Sequence, residues 1–408
     1  ICLSLYLHIF LFDCFRLWCA PWLGDARRQS FGHYTTLLQE FRLGDVAAFQ
    51  NYLRMPPQMF DEILNRVAPY IAKQNTNYRN AIEPGVKLAA TLRYLATGDL
   101  YPTVSHSFRV QQHTVAAFIP KVTNAIIEAY KEEVLPCPVE SAEWLVIADE
   151  FERKWNMPHA LGAIDGKHCA LKKPSNSGSL YYNYKKFCSV VLLALVDANY
   201  RFLWVDVGGM GHMSDSQIYN ASELKECLED GSLDIPAPTP LPNDNVDFPY
   251  FIIADDAFAL RRHMLKPYSR RRMTREERLT NYRISRARRV VENAFGIMSN
   301  RWRCLLTTMQ SSPEVVRMNV ECCVILHNIM RMRYPQFHNG DIDSEDENHN
   351  VIPGAWRADI DLRDIVQNIG HRNDDLDNIE GKNQRDYLKH YFTAGPGRVD
   401  WQDRMIDG

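Results

Sequence analysis

Two apolar runs joined by a short turn constrain the fold of this chain more than any other feature. Residues 189–197 read SVVLLALVD and residues 202–207 read FLWVDV, with Ala198-Asn199-Tyr200 between them. Both runs are rich in β-branched and large apolar residues, which predicts two neighbouring strands of a buried sheet. Residues 161–164 and 251–254 are two further apolar runs, each followed by an aspartate. Because helical patterns follow these strands, this part of the chain is predicted to have an α/β fold.

The preceding part reads as helical. Apolar residues recur at helical spacing over 32–71, and a second helix begins at Pro84 and ends at Gly98. A short helix through Phe108 and a tight connection at Arg109-Val110 then lead into another helix. This order is compatible with a helix-turn-helix, although a helical bundle with no DNA role fits the same spacing. In the first case the third helix would expose residues able to touch bases or phosphates, namely Gln111, Gln112, Thr114 and Lys121.

Charge is distributed very unevenly along the chain. The formal net charge is only −3, yet residues 261–303 contain thirteen Arg and one Lys against three Glu. This segment therefore carries +11 and the rest of the chain −14. A basic stripe on an acidic body is typical of a protein that binds a polyanion. A solvated helical face is the alternative, but the acids needed to pair with these arginines are mostly missing.

Four acids stand where phosphodiester chemistry would need them. Asp165 and Asp255 each follow a predicted strand, Asp215 begins a predicted helix, and Glu292 lies beside the apolar stripe of another. Carboxylates that converge at one edge of a sheet repel each other unless a cation binds there, and Mg²⁺ prefers such oxygen ligands. Two such ions could activate a water or a 3′-hydroxyl for attack on phosphorus.

Each acid alone also has a purely structural interpretation. Asp165 before a glycine is a common turn, and Asp215 or Asp255 could cap a helix. Glu292 could form an ion pair with an arginine three or four residues before it. Only their joint placement, strands first and helix last, favours a metal site.

Several motifs, taken in order, resemble the PIF/Harbinger transposases. They are FERKWNMP and GAIDGKH within 151–168, VDANY, VDVG and SDS within 196–216, ADDAF at 254–258, VENAFG at 291–296, and CCVILHN at 322–328. The resemblance runs from about residue 21 to the C-terminus. It implies a ribonuclease H-like catalytic domain of the DDE superfamily, preceded by an all-helical helix-turn-helix region.

Carried over position by position, the resemblance identifies the catalytic acids. Asp165, Asp255 and Glu292 match the family's catalytic positions, and Asp215 matches a further acidic position associated with divalent metal. All four are therefore the predicted ligands of Mg²⁺ or Mn²⁺, whereas Asp256 is treated as a neighbour. The resemblance also implies DNA as a partner and a separate Myb/SANT-like protein that helps DNA binding and nuclear entry. We further expect nuclear location, with the cytoplasm as a second location, and a homo-oligomer on DNA.

The predicted function is a metal-dependent DNA endonuclease or transposase-like protein. The arginines expected to hold phosphates are Arg270, Arg271, Arg272, Arg286, Arg288 and Arg289. Two alternatives stay open at this point. One is a domesticated, catalytically silent DNA-binding protein, and the other is a phosphohydrolase that acts on small phosphates.

Four segments are predicted. They are a doubtful N-terminal segment (1–20), a helical region with the DNA-binding part (21–135), the nuclease domain (136–335), and an acidic linker with a C-terminal tail (336–408). The linker has five acids within residues 341–347. Residues 1–20 lack the basic start of a signal peptide, so we expect an artefact, with a real signal as the alternative. Ten cysteines without a CxxC pair predict reduced thiols, and no membrane segment is expected.

Overall fold

The computed structural model describes residues 20–77, 80–335, 344–346, 351–354 and 377–407. Residues 1–19 of the predicted N-terminal segment and most of the acidic linker lie outside the described residues. The chain divides into two compact units. The first comprises the described residues up to Ala129 with Arg301–Gln310, and the second comprises residues 130–300 and those from Ser311 onward. The four predicted domain boundaries stay a prediction.

The first unit is helical. Its helices are α1 (Asp25–Phe31), α2 (Leu37–Gly44), α3 (Val46–Leu53), α4 (Pro57–Ile71), α5 (Pro84–Thr97), α6 (Tyr101–Phe108) and the part of α7 (Gln112–Val134) up to Ala129, with 3₁₀ turns at Pro21–Leu23 and Arg303–Leu306. Prolines begin α4 and α5, where a missing N–H costs nothing. The helical pattern over 32–71 is interrupted at Asp45, whose side chain accepts a hydrogen bond from the Ala48 N–H (2.9 Å) and so caps α3.

The connection between α6 and α7 is as short as the sequence predicts. Arg109 adopts a left-handed conformation (φ 52°) that ends α6, and α7 begins at Gln112. Gln112 and Lys121 are exposed, while Gln111 and Thr114 are half-buried. Their side chains are thus at least partly accessible, and their contact with DNA stays a prediction.

The second unit is built on a mixed five-stranded sheet. Its strands are β1 (Ala160–Ala170), β2 (Ser189–Val196), β3 (Phe202–Met210), β6 (Phe251–Ile253) and β7 (Met264–Leu265), in the order β3-β2-β1-β6-β7. β1, β2 and β3 pair antiparallel, whereas β6 runs parallel to both β1 and β7. Short two-residue strands occur at β4 (Thr239–Pro240), β5 (Asp247–Phe248), β8 (Ser344–Glu345) and β9 (Val351–Ile352). The predicted α/β fold is confirmed at this level.

β1 is longer than the sequence predicts. It was expected to end at Ile164, but it continues through Asp165 and Gly166 to Ala170, and Asp165 pairs with Ala194 of β2. All eight residues of β2 are buried, so pairing with this central strand outweighs the local turn preference of Asp-Gly. Asp165 therefore lies within a strand, on a rigid backbone.

Helices cover the two faces of this sheet. Those of the second unit are α8 (Ser141–Trp155), α9 (Asp215–Asn220), α10 (Glu223–Asp230), α11 (Arg275–Arg301), α12 (Pro313–Arg333), α13 (Ile379–Thr393) and α14 (Arg404–Asp407). On one face, the Ile218 side chain of α9 lies against Gly209 of β3. On the other face, Phe295 of α11 packs beside Phe202 of β3, with ring centroids 5.9 Å apart. None of the helices among the described residues is long and apolar enough to cross a membrane.

Candidate active site

The strand register brings two of the predicted acids side by side. Ala163 of β1 pairs with Ile253 of the parallel strand β6. Asp165 and Asp255 each follow two residues later on their own chain segments. Asp255 lies two residues beyond the end of β6, but the Ala254 N–H still donates to the Leu265 carbonyl of β7 at 2.9 Å, so the chain continues along the sheet. The charge of Asp165 acts on Asp255, so the two carboxylates lie near each other.

Arg288 of α11 contacts two of the predicted acids. Its Nη1 donates to Asp165 Oδ2 at 2.9 Å, and its Nη2 donates to Glu292 Oε1, one helical turn further along α11. The side chains of Asp165, Arg288 and Glu292 are only 15%, 16% and 29% exposed, so water screens these ion pairs poorly. Pairing of Glu292 with an arginine before it, the structural alternative for that residue, is what the structure shows. The same arginine is also the countercharge of Asp165.

The electrostatics of the site reflect crowding of negative charge. Burial raises the pKa of Asp165, Arg288 opposes this shift, and the nearby Glu292 adds to it. Burial and the charge of Asp165 raise the pKa of Asp255 to about 7. Burial alone would lower the pKa of Arg288, but the Glu292 and Asp165 carboxylates raise it above its usual value. The ionised acids are therefore costly without a compensating cation.

Asp215 does not lie with the other three acids. A Cβ at Gly166 would come within 2.1 Å of Asp215 Oδ1, so the Asp215 carboxylate lies directly over Gly166. Side chains alternate along a strand, so this is the face of β1 opposite to that of Asp165. That all four acids hold one metal site stays a prediction. The structure groups Asp165, Asp255 and Glu292, and it places Asp215 across the strand.

The donor set of the three grouped acids suits a hard divalent cation, because carboxylate oxygens are its preferred ligands. In this structure, however, the Arg288 guanidinium bridges two of them. Among the described residues, no group of three or more His, Cys, Asp or Glu side chains is arranged to hold a metal ion. The chemistry of the residues fits Mg²⁺ or Mn²⁺, whereas their arrangement is that of an arginine-neutralised site.

The six arginines predicted to hold phosphates fall into different environments. Arg270, Arg271 and Arg272 are exposed in the turn before α11, and Arg289 is half-buried. Arg286 is only 3% exposed, and its Nη1 donates to the Trp155 carbonyl at 2.7 Å. Its guanidinium also lies 5.1 Å from the centre of the Trp401 ring. In this structure Arg286 is thus bound to the protein's own groups and Arg288 contacts the acids, and phosphate contact by either residue stays a prediction.

The sequence analysis overlooked one segment beside these acids, the β1–β2 connection (residues 171–188). It contains four lysines, three tyrosines and no acid, a signal that was visible in the sequence. Tyr184, near its end, lies edge-on to the His168 ring of β1 at 5.5 Å. Burial raises the pKa of Tyr184 to about 12, and the charges of Asp215, Asp165 and Asp255 contribute. The Tyr184 hydroxyl therefore lies close enough to all three aspartates to feel their charge.

The matched region of the chain contains every one of these acids. Residues 164–328 match the family described as DDE superfamily endonuclease. The match spans β1 through most of α12, and it confirms the resemblance proposed from the sequence motifs.

Curated relatives cover most of the chain. "Protein ALP1-like" of Arabidopsis thaliana is 24% identical over 327 residues, which is 78% of this chain and 76% of the relative. "Putative nuclease HARBI1" of Mus musculus is 26% identical over 308 residues, 73% of this chain and 81% of the relative. The Homo sapiens protein of the same name is 25% identical over 304 residues, with the same shares covered. No solved structure is significantly similar to this chain.

Proposed function

We propose that this chain, which carries a DDE superfamily endonuclease domain and is homologous to HARBI1 and the ALP1-like protein, is a divalent-metal-dependent DNA nuclease. The observation that carries the proposal is that Asp165, Asp255 and Glu292 lie near one another, within the matched residues. Cleavage of DNA phosphodiester bonds of the PIF/Harbinger type would be its reaction.

Asp165, Asp255 and Glu292 are the residues that would hold the cation. When bound, the cation would supply positive charge that withdraws electrons from the scissile phosphate. The chain's own contribution is placement, because Asp165 is fixed by strand pairing with β2 and Glu292 by α11. Arg288 neutralises Asp165 and Glu292 when no cation is bound, and it would have to release them first.

DNA contact is proposed for two sets of residues. Arg270, Arg271, Arg272 and Arg289 would hold phosphates in the second unit, and Gln111, Gln112, Thr114 and Lys121 would read DNA as part of a helix-turn-helix in the first. The strand order β3-β2-β1-β6-β7, three antiparallel strands followed by two parallel ones, supports a ribonuclease H-like domain. A Myb/SANT-like partner, assembly of several copies on DNA and nuclear location belong to the same proposal.

The decisive experiment compares Asp165→Asn with Asp256→Asn on supercoiled plasmid DNA in Mg²⁺ or Mn²⁺. Asparagine keeps the size of the side chain but removes its charge. We expect Asp165→Asn to lose at least about 100-fold in cleavage rate while it binds DNA like the parent, since an essential charge is removed only from the site. Asp256→Asn should cut normally. Equal cutting by parent and Asp165→Asn would show that the site is assigned wrongly.

One observation favours the second candidate, a catalytically silent DNA-binding protein. Arg288 occupies the position where Asp165 and Glu292 meet, so the acids of this structure are already neutralised. Calorimetric titration with Mg²⁺ or Mn²⁺ separates the two candidates. If the protein is a nuclease, the parent should bind the cation, and the Asp165→Asn and Glu292→Gln variants should not. If the folded parent binds no cation even with DNA present, the protein is the catalytically silent DNA-binding protein.

A further inference from the structure

We propose that the β1–β2 connection is a platform on which unpaired DNA bases stack, on the Asp215 side of β1, with Tyr184 as its main aromatic residue and its lysines on the phosphates. This inference rests on the proposed nuclease function and names how the substrate strand is held. None of these residues belongs to the acid site or to the predicted DNA-binding residues.

The connection presents large rings to solvent. Tyr182 is 49% exposed and Tyr184 is 57% exposed, and Leu180 beside them is 47% exposed. Large apolar side chains that cluster on a surface indicate a binding site for a partner. About half of each tyrosine is therefore exposed to solvent.

A network of hydrogen bonds holds the connection in one conformation. Asn183 is only 3% exposed, and its Nδ2 donates to Ser189 Oγ at 2.9 Å, while its Oδ1 accepts from the Phe187 N–H. The Ser189 N–H donates to the Tyr181 carbonyl at 2.8 Å, which ties the connection to the start of β2. Asn183 thus anchors the segment from within, between the two exposed tyrosines. A preorganised platform loses little entropy when a base stacks on it.

The charge of the connection selects a polyanion. Lys172, Lys173 and Lys186 are exposed, and the Lys185 ammonium lies 5.8 Å from the centre of the Tyr184 ring. The segment has four positive charges and no acid. Aromatic rings interleaved with cations are the combination by which proteins bind single-stranded nucleic acid without reading its sequence.

The platform lies on the face of β1 that carries Asp215. Tyr184 contacts His168, and because side chains alternate along a strand, His168 shares its face with Gly166 and the Asp215 carboxylate above it, opposite to Asp165. A ring stacks on the face of a base, and a duplex keeps these faces within its own stack, so the occupant we assign is an unpaired strand.

The test measures binding in EDTA, where cleavage cannot contribute. Fluorescence anisotropy compares a labelled 20-nucleotide oligo(dT) with a duplex of the same length, for the parent, Tyr184→Ala and Tyr184→Phe. Tyr70→Ala is the matched control, since Tyr70 is 75% exposed on α4. We expect Tyr184→Ala to bind the single strand about 5- to 150-fold more weakly, the factor for one lost base stack, with little change for the duplex. Tyr184→Phe and Tyr70→Ala should bind like the parent.

Two further readouts make the assignment specific. Replacing both Lys172 and Lys173 with alanine should lower the slope of log affinity against log salt by about 1.4 on the single strand. A strand with 2-aminopurine should lose fluorescence on binding to the parent and to Tyr184→Phe, but not to Tyr184→Ala. If Tyr184→Ala binds the single strand as tightly as the parent, while cleavage still depends on Asp165, the platform proposal is wrong and the nuclease proposal stands. A parent that binds no DNA overturns the nuclease proposal as well, and a larger loss on oligo(U) RNA than on DNA would assign the platform to RNA.

Discussion

Two groups of arginines, separated by only ten residues, lie in opposite environments in this protein. Arg270, Arg271 and Arg272 stand exposed in a turn. Arg283 and Arg286, on the following helix, are 2% and 3% exposed. The arginines of residues 261–303 therefore do not form one continuous surface. The net charge of this segment overstates the number of arginine side chains that a ligand can contact.

The buried arginines join parts of the second unit that are distant in sequence. Arg283 donates to the carbonyls of Asn156 and Gly397 and to Gln402 Oε1, and its guanidinium lies 4.3 Å from the centre of the Phe392 ring. Burial lowers the pKa of Arg283 to about 10, so the cation is held against a real desolvation cost. A buried guanidinium can thus join distant segments by its hydrogen bonds, while the same group exposed in a turn is the one proposed to contact phosphates.

The largest expected effect comes from breaking the buried group. Arg283→Met keeps the apolar stem but leaves three acceptors without their donor, at about 1–3 kcal/mol for each buried group that finds no water. We expect the free energy of unfolding to fall by roughly 2–4 kcal/mol, measured by thermal or denaturant unfolding. Arg271→Met is the exposed control and should change it by about 0.5 kcal/mol or less. Equal stability of the two variants would show that relief of the buried charge offsets the lost hydrogen bonds.

A smaller effect, with a pH dependence, is expected for Arg288→Met. The pKa of Asp255 is raised to about 7, above the ordinary value of roughly 4, so the folded protein binds this proton more tightly than the unfolded chain. The stabilisation that comes from protonated Asp255 is therefore fully present below about pH 4 and is lost as the pH rises through 7. Arg288 limits that loss, because its charge lowers the pKa of Asp165 and of Asp255.

Without Arg288 the ionised acids repel each other with no countercharge. We expect Arg288→Met to be about 2–3 kcal/mol less stable than the parent at pH 8 in EDTA. The difference should shrink toward pH 5, as the acids take up protons, and it should also shrink on addition of Mg²⁺. Thermal unfolding from pH 5 to 8 measures this, with Arg289→Met as the control. A difference that is the same at every pH would assign Arg288 to packing.

The smallest effect on stability should come from the exposed group. Replacing Arg270, Arg271 and Arg272 with glutamine should change the free energy of unfolding by no more than about 0.5 kcal/mol. The slope of log affinity for duplex DNA against log salt should fall by about 2.7, since three phosphate contacts are lost. Anisotropy titrations at several salt concentrations measure the slope. An unchanged slope would remove this turn from the DNA interface.

Much of the fold could be predicted, because strands of this sheet are marked by their own composition. The runs at 189–197 and 202–207 became β2 and β3 almost without change. The predicted end of β1 at Ile164 was wrong. Asp165 and Gly166 pair with β2 instead of forming the turn that Asp-Gly favours, and no local pattern in the sequence reveals this pairing. The apolar spacing over 284–300 predicts a helix there, but α11 begins nine residues earlier, at Arg275, because Thr274 and Glu277 form a reciprocal cap before it.

The residues of the candidate site come from the sequence, and their role as metal ligands stays a prediction, whereas their arrangement comes from the structure. Motif order pointed to Asp165, Asp255 and Glu292, and the strand register groups them. Which face a side chain takes depends on the register of every strand before it, so the separation of Asp215 could not be read from spacing. The contact of Arg288 with Asp165 joins residues 123 positions apart and has no local signal.

Gly166 is a position at which a single mutation can disable a protein of this kind without changing any of its acids. Every single-base change in a glycine codon that gives another amino acid adds a Cβ, and at this position that atom would collide with the Asp215 carboxylate 2.1 Å away. One missense change could therefore distort β1 beside Asp165 while every acid stays intact. The presence of all the acids is therefore not enough to show that a gene of this kind encodes a working nuclease. The glycine after the first aspartate, here Gly166, should be checked together with the acids.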